Sequence, residues 1–170
     1  MVCQSVRNAL YHDSNASPMD RAQNLLSLMT LPEKAGLLFH SMSAPHDNIS
    51  TRAPVGFDLP SPTEFVADMH MTHLSILGPI NDARKVAKWH NEVQKFAYEN
   101  TRLGIPVTFS SDPRHHFTEN IGTSFTAGRM SQWPETLGLA ALRDIDLVEK
   151  FADIVRQEYL AVGKIGRAHV

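Results

Sequence analysis

Two apolar runs of strand length, separated by one long amphipathic segment, constrain this chain more than any other feature. The first, HLSILGPI, begins at His73 and closes on Gly78 and Pro79; the second, IPVTFSS, begins at Ile105. Between them Ala83, Val86, Ala87, Val93, Phe96 and Ala97 recur at helical spacing, and Gly104 supplies a natural stop. The second run is nearly continuous rather than alternating, as a strand covered on both faces of a parallel sheet reads. Strand, helix, strand in that order is a βαβ unit, and parallel strands require such a crossover.

The flanking segments read as helices with clear starts. In SPMDRAQNLLSLM, Ser17 is the predicted N-cap, Pro18 the first helical residue and Asp20 a first-turn acid that the helix dipole favours. Ala22, Leu25, Leu26 and Met29 form its predicted apolar face. TLPEKAGLLF restarts on Thr30, with Glu33 at the capping-box position. Residues 41–60 are rich in Ser, Pro, Asn and Asp and read as a loop. Ser61 and Glu64 repeat the capping-box spacing before a short helix predicted to end near Met71. A last helix begins after Asp144 and stops at Gly163.

Only two strands are clear, and two parallel strands do not make a stable sheet. A (β/α)8 barrel takes about 250 residues, whereas this chain has 170. The expected fold class is therefore α/β: an incomplete (β/α)8 TIM-type barrel, two β/α units preceded by N-terminal helices.

Composition removes several function classes. Sixteen Lys and Arg against 18 Asp and Glu give a net charge of −2, which offers nothing to nucleic acid or to an anionic membrane surface. No apolar run approaches a membrane span. Cys3 is the single cysteine, so no internal disulfide and no cysteine zinc cluster is expected. The opening MVCQSVRNALYHDSNAS has no apolar core after a basic start, which reads as no secretory signal and, by default, a cytoplasmic chain.

Chemistry is expected where strands of a β/α barrel end at their C-terminal edge. There the second run meets Asp112, Pro113, Arg114, His115 and His116. Asp112 admits two readings: a turn starter, since Asp before Pro opens turns, or a carboxylate that accepts hydrogen bonds from sugar hydroxyls.

Three blocks in order, RAQNLLSLMTLPEKAG, NTRLGIPVTFSSDPRHHF and MSQWPETLGLAALRD, resemble those of glycoside hydrolase family three, the β-glucosidase group. The first block matches at Arg21, Leu25, Leu26, Ser27, Met29, Thr30, Leu31, Glu33, Lys34 and Gly36. The likeness spans residues 11–163. It implies that residues 17–163 are the truncated start of an N-terminal β/α barrel domain, with 1–16 as an extension. It also implies that Asp112 binds hydroxyls of the glycosyl unit and that His115 supports that contact. The DPRHHF form departs from the commoner Asp-Ala-Val-His-Gly. The retaining mechanism of the family needs a nucleophile and an acid/base about 5 Å apart. In the family both come later, as do an arginine and a lysine-histidine pair, so the catalytic pair is expected beyond this chain. The implied partner is a carbohydrate substrate, a β-glucoside, together with the rest of the barrel and a following domain.

Other signals are weaker. The spacing of His70 and His73, or the adjacency of His115 and His116, brings no third ligand, so no metal and no cofactor is expected. Trp89 reads as packing within a helix; Trp133, before Pro134, is somewhat more open to a binding role. The closing KIGRAHV has no strand pattern. Ile-Gly-Arg-Ala-His-Val is the translation of a common sequencing-adapter oligonucleotide (AGATCGGAAGAGCACACGTC), so residues 164–170 are expected to be adapter-derived. Two further function classes stay open: a non-catalytic sugar-binding or assembly module on the same scaffold, and a helix-rich interaction protein.

Overall fold

The computed structural model describes residues 6, 8–53, 58–111, 115 and 128–163. After a 3-10 turn at Leu10–His12 come helices α1 (Pro18–Leu28) and α2 (Leu31–Gly36), then strand β1 (Ser41–Ser43). A π-helical turn (Glu64–Asp68), β2 (His73–Ile76), α3 (Ala83–Asn100), β3 (Thr108–Ser110), α4 (Thr136–Leu142) and α5 (Ile145–Ala161) follow. The expected starts are present as hydrogen bonds. Ser17 Oγ accepts from Asp20 N at 3.1 Å, and Asp144 Oδ1 from Leu147 N at 3.0 Å. Thr30 and Glu33 close both arms of a capping box, and Ser61 and Glu64 repeat those two bonds at 2.7 and 3.2 Å. Behind Ser61 the chain then widens into a π turn, where Met69 N reaches Glu64 O at 3.1 Å.

Two expectations are corrected. The stretch read as a loop from residue 41 contains a strand. β1 pairs parallel to β2 with Ser41 opposite Leu74 and Ser43 opposite Ile76. β2 pairs parallel to β3 with Leu74 opposite Phe109, so the sheet order is β1-β2-β3. Ser-Met-Ser carries no β signal of its own; its pairing with β2 makes it a strand. The second correction concerns α1. Met29 is buried, but Leu26 is 54% exposed, so the apolar face is narrower than the spacing predicts.

Alternate strand residues share a face, which places Leu74, Ile76 and Phe109 on one side of the sheet. That side is covered by Val86, Trp89, Val93 and Ala97 of α3 and by Val155, Tyr159 and the following Val162 from α5. Leu74 and Val93 are both at 0% exposure, and each such side chain contributes about 1.5–3 kcal/mol over an exposed one. Trp89 is core, as expected, with its ring 5.2 Å from that of Phe109. A second apolar cluster joins Val6, Tyr11 and Met29 to Leu103, so the N-terminal helices pack against the approach to β3. Tyr11 OH donates to Leu103 O at 2.6 Å. Gly36 lets α2 come close to the turn before β2: a Cβ there would lie 2.5 Å from His70 O. Among the described residues no helix is long and apolar enough to cross a membrane.

Candidate functional site

The C-terminal edge of β3 continues into Ser111, which is buried. Its Oγ donates to Tyr159 OH at 3.1 Å. Tyr159 belongs to α5, and its neighbour Glu158 holds the next described residue of the connection. His115 Nε2 lies 3.0 Å from Glu158 Oε2, and the His115 side chain is at 0% exposure. The rings of His115 and Tyr159 are 5.2 Å apart. Two successive residues of one helix therefore hold the two sides of the segment 112–114. Asp112 itself, with Arg114 and His116, lies outside the described residues.

Glu158 does more than face a histidine. Its Oε1 accepts from Ser131 N at 2.8 Å and its Oε2 from Ser131 Oγ at 2.9 Å. Ser131 Oγ in turn accepts from Trp133 Nε1 at 2.9 Å, and Trp133 N donates to His115 O at 2.5 Å. The ring of Trp133 packs on Phe151 at 5.2 Å. Its indole N–H is therefore committed to the protein, which narrows the binding role read from its sequence context. A closed polar network of this kind fixes one arrangement, because leaving any buried member without its bond is costly.

Asp112 and His115 were the two site residues drawn from the sequence. Sequence reading passed over Glu158, although its signal was present. Val155, Tyr159 and Val162 make an apolar i, i+4, i+7 stripe, and Glu158 interrupts it at i+3. A carboxylate on a partly buried helix face calls for donors; Ser131 supplies two of them, and His115 Nε2 lies beside it at 3.0 Å.

The other histidine pair does not gather ligands. His70 takes a left-handed backbone (φ 56°), and Thr72 Oγ1 lies 3.3 Å from His73 Nδ1. Among the described residues no group of three or more His, Cys, Asp or Glu is placed to hold a metal ion. A cleft of about 280 Å³ between Asp47–Ile49 and α3, lined also by Glu92, Lys95 and Glu99, shares no residue with the network around Glu158.

A parallel sheet whose crossovers carry helices, with polar side chains gathered at a strand's C-terminal edge, defines an α/β protein of the kind that binds ligands at that edge. Comparison with known proteins sharpens the class. No family model matches the chain. Beta-glucosidase C of Emericella nidulans is 48% identical over 156 residues, 91% of this chain and 24% of that protein. The periplasmic beta-glucosidase/beta-xylosidase of Dickeya chrysanthemi is 44% identical over 153 residues, 90% of this chain and 23% of that protein. A solved structure of a beta-glucoside phosphorylase, BglX, bound to 2FGlc superposes with a TM-score of 0.59 over 93% of this chain, at 18% identity and over 24% of its own length. The chain is similar to these beta-glucosidases over about nine-tenths of its own length, in keeping with its resemblance to glycoside hydrolase family three, and it spans about a quarter of the length of the curated relatives it matches.

Proposed function

We propose that this chain forms the opening of the (β/α)8 barrel of a retaining, β-glucosidase-like hydrolase and supplies part of its sugar-binding wall. In this reading Asp112 accepts hydrogen bonds from hydroxyls of the glycosyl unit, and His115 acts on that contact from behind. The chain carries no nucleophile and acid/base pair of its own. The observation that supports the reading is the anchoring of Ser111 and His115 on Tyr159 and Glu158 at the C-terminal edge of β3. That edge is where β/α barrels bind their substrates, and a carboxylate is the group best suited to grip vicinal hydroxyls. A His115 ring so enclosed serves by holding the chain rather than by touching sugar. Its relatives are named for β-glucosides and β-xylosides, which favours a β-linked sugar as the ligand.

Calorimetric titration with methyl β-glucoside tests this. Measurable binding that falls about tenfold or more in Asp112→Ala is expected, as is no release of nitrophenol from an aryl β-glucoside. Turnover that disappears when an acidic residue of this chain is replaced would overturn the second half of the proposal.

A further inference from the structure

We propose that the cleft between Asp47–Ile49 and α3 is a separate binding site for a neutral sugar ring. It holds about 280 Å³, and Ile49 and Phe96 belong to its lining. Both side chains are partly buried and pack against the main apolar cluster, so the cleft has an apolar wall that the core holds in place. Asn48, Asn100, Glu92 and Glu99 set amide and carboxylate groups beside it. An apolar wall with a few convergent polar groups is the usual make-up of a small-molecule site. The volume lies just below the range of about 300–1,000 Å³ for such sites, which suits a single ring. No residue of the lining comes from the C-terminal edge of β3, and the inference does not rest on Asp112.

Charge decides the class of ligand. Asp47, Glu92 and Glu99 by themselves would favour a cation, but each has a lysine at hand. Lys85 Nζ lies 3.5 Å from Asp47 Oδ1, and Lys88 Nζ lies 3.6 Å from Glu92 Oε1. Lys95, also of the lining, stands one helical turn before Glu99 on α3. Three ammonium groups against three carboxylates leave no net charge to draw an ion in. Exposed pairs of this kind are loose, so the carboxylate oxygens stay open to other donors. What the cleft offers is therefore hydrogen-bonding capacity beside an aromatic ring. Carboxylates accept from hydroxyls, and an amide both donates and accepts. The electron-rich face of an aromatic ring attracts C–H groups. A pyranose carries hydroxyls around its rim and C–H groups on its faces, so it satisfies both demands at once. An amine, an anion or a purely apolar molecule satisfies at most one.

The test titrates the chain with methyl β-glucoside and follows the NMR shifts of the Ile49, Phe96 and Glu99 amides. Saturable shifts are expected at all three. They are expected to persist in Asp112→Ala, which separates this cleft from the barrel edge. Phe96→Leu keeps the apolar wall and removes the aromatic ring, and should weaken binding about three- to tenfold. Glu99→Ala should weaken it by a similar factor, and Glu99→Gln, which keeps an acceptor, should recover most of the loss. The affinity should not change with salt, because the ligand is neutral. Should Phe96→Leu fail to fold, Glu99→Ala carries the test, since Glu99 is exposed. Absence of saturable shifts at these amides in the folded chain overturns the proposal. So does an affinity unchanged in Glu99→Ala or in folded Phe96→Leu, or loss of the shifts in Asp112→Ala. Putrescine producing the same shifts, or a glucoside affinity that falls with salt, overturns the choice of a neutral sugar in favour of a charged ligand.

Discussion

Arg102 grips Glu33 with two hydrogen bonds, Nε to Oε1 at 3.0 Å and Nη2 to Oε2 at 2.5 Å, across 69 residues of chain. The same guanidinium donates to Leu28 O at 2.8 Å. Glu33 is also the far arm of the Thr30 capping box, taking Thr30 N at 2.8 Å. One carboxylate therefore ends the turn between α1 and α2 and locks both helices to the approach of β3. These are two of the sequence blocks through which the family likeness is carried.

Breaking that pair should destabilise the chain. Arg102→Met leaves Glu33, almost enclosed, with only its bonds to Thr30. Loss of a buried pair's partner costs about 3–5 kcal/mol, but the Arg102 side chain is 41% exposed, and solvent screening brings the expected loss to about 1–3 kcal/mol. Urea denaturation of the two proteins measures it. A change below about 0.5 kcal/mol would show that the pair is decorative.

The pH dependence has a definite sign. Burial pushes the Glu33 carboxyl up, but the bonds from Arg102 and Thr30 outweigh it and hold the group at about 2 instead of 4.5. A lowered value means that the stabilisation is fully present above about pH 4.5 and is lost as the pH falls toward about 2. Glu33→Gln should flatten the stability curve in that window and leave its slope near neutrality unchanged. Denaturant midpoints taken every half unit of pH read this directly.

Gly36→Ala should be among the most damaging small changes. The new methyl would sit 2.5 Å from His70 O and 2.6 Å from Met69 O, and both are backbone atoms that cannot swing aside. Overpacking of this kind costs about 1–3 kcal/mol. A thermal midpoint at or above that of the parent would mean that α2 moves away from the turn before β2 at no cost.

Trp89→Ala removes the largest fully buried side chain of the core, with an expected loss of about 3–5 kcal/mol. The cavity opens between α3 and Phe109, so the amides of β2 and β3 should lose exchange protection before those of α1. Uniform loss along the chain would instead indicate that the two apolar clusters unfold as one unit.

Within the sheet, β2 has strand neighbours on both sides, whereas β1 and β3 each pair on one side among the described residues. Amides of His73–Ile76 should therefore exchange more slowly than those of Ser41–Ser43 and Thr108–Ser110. The reverse order would mean that the outer strands are covered by another molecule, which light scattering would detect as association.

Much of this architecture was legible from residues that act locally. Ser17, Thr30, Ser61 and Asp144 are caps because short polar side chains compete for the first free amides of a helix, and such chemistry shows in the sequence. The long amphipathic α3 and the apolar β2 and β3 were equally visible. β1 was not, because Ser41, Met42 and Ser43 become a strand only through partners 33 residues away. Glu158 was missed for a related reason. A lone glutamate on an apolar helix face announces a need for donors, yet nothing near it in the sequence says that Ser131 will supply them or that His115 will lie beside it.

The order of the strands has a kinetic meaning. Leu74 pairs with Ser41, 33 residues earlier, and Phe109 with Leu74, 35 residues earlier. Because spatial order equals chain order, every new strand closes only the loop it has just emerged from, at nearly constant entropic cost. No pairing has to wait for a distant segment. During synthesis, which runs at roughly 5–20 residues per second, each added strand could dock within seconds of the one before it, so the sheet would grow from its N-terminal edge at the pace of the ribosome rather than by a late search.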